Sequence, residues 1–272
     1  MDLPRTLEVA ARLEHLAEIG STNAELRTRV ADAAAWPHLS VLFTTNQTAG
    51  RGRQGRQWQT PPGSALAVSV LLRELPEPAL RGWIPLVAGL AMTESVSSLL
   101  PERPVALKWP NDVQVAGRKI CGILAEASGD AVIVGAGVNT AMTSGQLPVP
   151  EATSFAVLGA EADLDRLMAR YLRRLNGLLT ALVSVGDPVS CGLVDAVSER
   201  TATLGQAVRV LLPGGDELRG TAMRVDAEGR LVVRTAAGET AVTAGDVVHV
   251  RPASDTPAPG DPIVLAATTM ER

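Results

Sequence analysis

Cysteine is scarce in this chain: Cys121 and Cys191 are the two in 272 residues. Neither has a Cys or His at metal-ligand spacing, which excludes a zinc module and a disulfide framework and points to the reducing cytoplasm. Histidine is equally thin, with three residues, none near a cysteine, so a Cys–His nucleophile pair has no basis. Excess positive charge is missing too. The formal charge is -4 and the pI about 5.5, whereas a dedicated nucleic-acid binder carries a basic domain or stripe. The longest apolar runs, residues 65 to 72 and 131 to 138, fall short of the ~18 consecutive apolar residues of a membrane span and read as buried strands. The start, Met1 to Arg5, lacks the basic and apolar regions of a secretory signal, so no export is expected. Neither a Walker A pattern nor a full dinucleotide fingerprint occurs, which weakens a kinase or dehydrogenase reading. No internal repeat was found.

What is present is an ordinary globular balance, 46% hydrophobic and 20% charged, long enough for one substantial domain and a small one. Residues 20 to 30 read as a short helix, with Thr22 and Glu25 in the capping-box relation. Strands are expected at 41 to 45, 64 to 72, 104 to 109, 119 to 126 and 131 to 138. A helix over about 82 to 100 has Pro85 in its first turn, where a missing N–H costs little. The clearest periodic signal starts at Asp163, a natural N-cap. Its apolar stripe runs through Leu164, Leu167, Met168, Tyr171, Leu172, Leu175, Leu178 and Leu179 and should pack on the sheet. Beyond about residue 198 come short β-prone runs at 207 to 212, 220 to 225, 230 to 235 and 246 to 250, a small all-β domain. The expected division is 1–198, 199–252 and a mobile tail over 253–272.

Four segments carry residues suited to chemistry. In AGRGRQGRQW, residues 49 to 58, Arg51, Arg53 and Arg56 alternate with Gly50, Gly52 and Gly55 before Trp58. Glycines let backbone N–H groups converge on an anion, and guanidinium forks suit phosphate or carboxylate. Composition alone reads equally as a solvated loop or an Arg-Gly segment touching RNA; the position after a strand of an acidic folded chain lowers that alternative. KWPND, residues 108 to 112, brings Lys108, Asn111 and the hard oxygen ligand Asp112 to a turn. On spacing alone a plain Asx-type turn is the commoner account. In GRKICGILAE, residues 117 to 126, Lys119 enters an apolar strand that Gly122 interrupts, a mark of close approach by a ligand or another backbone, and on its own Lys119 reads as an ordinary lysine at a strand entrance. Cys121 there is a small packed hydrophobe. GAGVN, residues 135 to 139, ends a buried strand with Gly137 and Asn139. Ser21, Thr22 and Asn23 read equally as a helix cap, and Gln47 alone draws no notice.

In this order, GSTN at 20 to 23, Gln47 with the arginine-glycine loop, KWPND, GRKICGILAE and GAGVN resemble the successive signatures of biotin protein ligases. The resemblance spans residues 20 to about 140, and the later β segment is similar to the family's C-terminal barrel. It implies an α/β (α+β) catalytic domain of the class II aminoacyl-tRNA synthetase-like type with a mixed sheet, plus a small SH3-like β-barrel. By the same resemblance, Ser21, Thr22, Asn23, Gln47, Gly50, Arg51, Gly52, Arg53, Lys119, Gly122 and Gly137 correspond to biotin-binding positions. Arg51, Arg53, Arg56, Trp58, Lys108, Asn111 and Asn139 correspond to the ATP and adenylate side, with Asp112 as a metal or ordering residue. Lys119, Arg53 and Arg51 are the expected catalytic residues. Position 121, often alanine in the family, is Cys here, a small-for-small exchange.

The implied substrates are biotin and ATP with Mg²⁺, and the implied partner is a biotin carboxyl carrier protein domain whose lysine is modified. Nineteen residues precede Gly20, too few for the winged helix-turn-helix of bifunctional members, so DNA binding is not expected. A monomer or weak homodimer is expected. Activation of the carboxylate as an acyl phosphate anhydride crowds anions together, which preorganised Arg53, Lys119 and Mg²⁺ would stabilise. The loop of residues 50 to 58 is expected to order over the labile adenylate. No residue in the sequence names itself as general base for the acceptor lysine. The enzymatic alternative is a lipoate or octanoate transferase of the wider fold; the non-enzymatic one is an RNA-binding adaptor.

Overall fold

The computed structural model describes residues 1–212, 215–243 and 245–249. The expected tail over 253–272, and the last residue of the expected strand over 246–250, lie outside them.

The chain opens with the short helix α1 (Pro4–Leu7), then β1 (Arg12–His15), α2 (Thr22–Arg29) and β2 (Ser40–Thr44). A two-residue ladder, β3 (Gly50–Arg51) with β4 (Gln57–Trp58), brackets the arginine-glycine loop, and β5 (Ala65–Leu72) and α3 (Ile84–Leu99) follow. Next come β6 (Val105–Lys108), β7 (Asp112–Val115), β8 (Arg118–Ser128) and β9 (Ala131–Asn139). Seven of these strands form one sheet in the order β1-β2-β5-β9-β8-β7-β6. The β1–β2 pair is parallel and the others antiparallel, so the sheet is mixed as expected.

The helices divide the two faces. Val87, Leu90 and Ala91 of α3 are wholly buried on one face, among Leu107, Val113, Ile120, Val134 and Val138 of the strands. On the other face α2 lies chiefly over β2, β5 and β9, where Leu26 meets Leu42, Leu71 and Ile133. The rest of that face is left open, and the site lies there. Pro85 falls in the first turn of α3, as its missing N–H requires. Ser21, not Thr22, caps α2: its hydroxyl accepts from the Ala24 N–H at 3.4 Å, so the expected Thr22–Glu25 box is corrected by one residue.

The long helix α4 (Leu164–Val185) is capped by Asp163, whose carboxylate accepts from the Arg166 N–H at 2.9 Å, and closes at Gly186 in the left-handed region. Its stripe packs chiefly on α3 and α1, forming a third layer, instead of on the sheet as expected. Asp165 in its first turn is buried, and accepts from Thr6 N–H at 2.8 Å, Thr6 Oγ1 at 2.9 Å and Arg5 N–H at 3.1 Å. Burial works to raise the Asp165 pKa, but these donors outweigh it and hold the carboxyl below the usual carboxylate range.

After α5 (Leu193–Arg200) come β10 (Ala207–Leu211), β11 (Glu217–Val225), β12 (Leu231–Thr235), β13 (Gly238–Val242) and β14 (Asp246–His249). They pair antiparallel in the order β13-β12-β11-β10-β14. Among the described residues β13 and β14 do not pair, so the expected barrel is corrected to an open five-stranded sheet. Its anchor is the end of β6. Trp109 is buried, its indole N–H donates to Gly229 O at 3.1 Å, and its backbone N–H donates to Thr203 Oγ1 at 3.1 Å. Trp83 likewise donates to Ala227 O at 2.9 Å. Among the described residues no helix is long and apolar enough to cross a membrane.

Candidate active site

Cross-strand register builds the site's base from small residues. Ala67, Gly137, Gly122 and Asp112 lie side by side across β5, β9, β8 and β7, and Ser69, Gly135 and Leu124 form a second row. Partners in an antiparallel sheet share a face, so the two rows leave a trough beside α2. That trough is a cavity of about 140 Å³. A Cβ on Gly137 would stand 2.5 Å from the Trp58 ring, and one on Gly135 would collide with Asn23 Oδ1. Both positions need glycine for want of space.

One end of the cavity is neutral and hydrogen-bonded. Gln47 Oε1 accepts from the Thr22 N–H at 2.9 Å. Ser69 Oγ lies 2.8 Å from Thr22 Oγ1 and 2.6 Å from Asn23 Oδ1. Asn23 Nδ2 in turn donates to Glu126 at 2.7 Å. Ser21, Thr22, Asn23 and Ser69 are all buried, so these bonds are sheltered from competing water.

The other end is charged. Lys119 Nζ pairs with Asp112 at 2.7 Å and stands 5.6 Å from the Trp58 ring centroid, where it faces the π-system. Arg53 donates to Asn111 Oδ1 at 2.8 Å, and Asn111 Nδ2 donates to Ile123 O at 2.7 Å. The second Arg53 nitrogen reaches Gly245 O of the small sheet at 3.4 Å. Burial pushes the Arg53 pKa down, Asp112 opposes it, and Arg56 adds to the lowering. A guanidinium keeps its proton even so, because it is by far the strongest base among the side chains. Arg51 and Arg56 complete this rim, and Gln54 at φ 55° turns the loop between them.

The cavity brings together Ser21, Thr22, Asn23, Gln47, Arg51, Gly52, Arg53, Arg56, Trp58, Asn111, Asp112, Lys119, Gly122 and Gly137 of the residues singled out from sequence. Three others stand outside its lining. Gly50 packs under Gln47 and the Trp58 carbonyl, where a Cβ has no room. Lys108 faces Asp112 across the β6–β7 hairpin; burial lowers its pKa, against the pull of Asp112. Asn139 donates to Thr153 O at 2.9 Å, and its buried Oδ1 has no partner among the described residues. Burial pushes the Cys121 thiol up, so it is inert as a nucleophile. Sequence reasoning missed Gly135, Ser69 and Glu126. A hydroxyl inside an apolar strand was the available signal for Ser69.

A trough with a neutral, hydrogen-bonded end and a cationic end is suited to bringing an anion up to a held ligand, and Arg51, Arg53 and Arg56 of the loop line it. The sequence matches the Biotin/lipoate A/B protein ligase family over residues 19–139 and the Biotin protein ligase C terminal domain over 203–250. It is 38% identical to the biotin–acetyl-CoA-carboxylase ligase of Mycobacterium tuberculosis, covering 88% of this chain and 90% of that protein. The corresponding ligase of Paracoccus denitrificans is 32% identical, with 85% and 98% covered. Among solved structures, the biotin protein ligase from Aquifex aeolicus in complex with biotin and ATP gives a TM-score of 0.73 at 27% identity, covering 89% of this chain and 100% of that one. The chain belongs to the biotin protein ligase family.

Proposed function

We propose that this ligase joins biotin to ATP as biotinyl-adenylate, releasing pyrophosphate, and then passes the biotinyl group to a lysine of a biotin carboxyl carrier domain. The observation that carries this reading is one cavity with Thr22, Asn23 and Gln47 at its neutral end and Lys119 and Arg53 at its charged end. The neutral end suits a ureido ring, which both donates and accepts hydrogen bonds. The charged end suits a carboxylate meeting the α-phosphate.

In the first step a biotin carboxylate oxygen attacks the α-phosphorus and the bond to pyrophosphate breaks. Lys119 and Arg53 offset the charge that gathers there, and Arg51 and Arg56 extend that field over the nucleotide. Asp112, 2.7 Å from Lys119 Nζ, keeps that ammonium aimed. Among the described residues Asp112 is the single carboxylate lining the cavity, which fits a Mg²⁺ carried mainly by the substrate's phosphates; bound there, the ion would screen phosphate charge. In the second step the acceptor amine attacks the acyl carbon and AMP leaves. Trp58, over Gly137, supports a role as cover for the adenylate until then.

Residues 1–198 form the catalytic part in this reading and 199–252 the small β part that braces the loop through Gly245. The compartment it implies is the cytoplasm. Incubation with biotin, ATP, Mg²⁺ and a carrier domain, read by intact mass, should add one biotinyl group to the carrier. No pyrophosphate and no adduct would reject the reading. Biotin at ~100 times its Kd should stabilise the fold by roughly 2.7 kcal/mol, and lipoate should not.

A further inference from the structure

Glu126 is outside the cavity lining, yet it closes a hydrogen-bonded chain that ends inside. One of its oxygens accepts from Arg27 at 2.6 Å and the other from Asn23 Nδ2 at 2.7 Å; Asn23 Nδ2 also reaches Leu124 O at 3.3 Å. An ionised carboxylate only accepts, so this contact fixes the Asn23 amide with its nitrogen outward and Oδ1 toward Ser69. Asn23 Oδ1 likewise only accepts, so it takes the one proton of the Ser69 hydroxyl at 2.6 Å. Ser69 Oγ is then left to accept from Thr22 Oγ1 at 2.8 Å. The Thr22 hydroxyl proton points away from the cavity, while Gln47 Oε1, 3.2 Å off, already has the Thr22 N–H at 2.9 Å. Thr22 is 3% exposed, Asn23 4% and Ser69 0%, so water cannot substitute for a missing member.

We infer that Glu126 is a positioning residue: through Asn23 and Ser69 it sets the direction of the Thr22 hydroxyl, so that the cavity offers an acceptor to an N–H of the bound ring. The inference rests on the ureido ring of biotin being that ligand. With Glu126 gone, the Asn23 amide keeps only the longer 3.3 Å bond to Leu124 O; in the fraction that turns over, the Ser69 proton moves to Thr22, and Thr22 presents a donor against a donor.

The test is steady-state kinetics of adenylate formation. Glu126→Ala should raise the biotin KM about tenfold, with kcat and the ATP KM unchanged. In a Ser69→Ala background, where the chain is already cut, Glu126→Ala should add nothing. Arg27→Ala, which leaves the Asn23 bond intact, should stay within about twofold of wild type. Glu126→Gln in that Arg27→Ala background keeps one uncontested acceptor and should hold the KM within about threefold; it also decides the matter if Glu126→Ala does not fold. An unchanged KM in Glu126→Ala, a full effect in the Ser69→Ala background, or equal losses in kcat and KM would each overturn the inference while the wild type still consumes biotin. A wild type that ignores biotin removes the ligand assignment, and the inference with it.

Discussion

The two ends of the cavity are built on different principles. The neutral end is a closed set of short bonds among side chains from three elements: the buried Thr22 and Asn23 on α2 and Ser69 on β5, and the part-buried Glu126 on β8. The charged end hangs on long side chains, half of them from a loop held by a two-residue ladder and by the reach of Arg53 to Asn111 and Gly245. Preorganised buried bonds select a ligand with little cost of ordering, whereas a loop of guanidinium groups must order around charge as it develops. The proposed division is therefore recognition at the buried end and rate at the loop-borne end.

That contrast can be broken most directly at Lys119. Lys119→Ala should retain the fold and lower the rate of adenylate formation by about 10²–10³-fold. A wild-type rate would sink its role. Arg53→Ala comes next, at roughly 10–100-fold in rate, the range of a lost charge-assisted bond; because Arg53 also ties the loop to Gly245, limited proteolysis should cut residues 50–58 faster. At the other end, Gly137→Ala sets a Cβ 2.5 Å from the Trp58 ring, and should raise the biotin KM about tenfold while leaving kcat within a few-fold. If instead the rate fell and the KM held, the division of labour would be wrong. Smaller still is a change in hydrogen exchange: amides of residues 50–58 should slow when biotin and ATP are added, and those of β5 and β9 should not change.

How far the sequence anticipated this arrangement follows from the physics of each segment. The apolar runs at 65 to 72 and 131 to 138 became β5 and β9 because α3 covers one face and α2 part of the other, and Asp163 capped α4 because few residues satisfy a free N–H so well. The strands β7 and β13 escaped notice: four and five residues long, they draw their stability from neighbours and not from their own composition. Thr22 and Ser21 have the same capping chemistry, so only backbone geometry told them apart. The charged motifs were legible as an ordered set, and the cavity gathers nearly all of them. Glu126 was not, since a glutamate at a strand's end looks like any solvated charge until its partner 103 positions away is known.

The smallest effect is expected where neither end is touched. Asp165 lies in the α1–α4 contact, and its folded pKa is depressed. A carboxylate with a lower pKa folded than unfolded stabilises the fold above its unfolded value, about 3.9, and that contribution is lost as pH falls through the folded value. Asp165→Asn should therefore lower Tm at pH 7, and the gap to wild type should close on acidification below about pH 4. Biotin KM and the rate per folded molecule should not move at either pH. Because the variant weakens the fold without touching Thr22 or Lys119, it calibrates the others: a KM shift in it would mean that general loosening, and not the direction of buried hydroxyls, governs recognition at the neutral end.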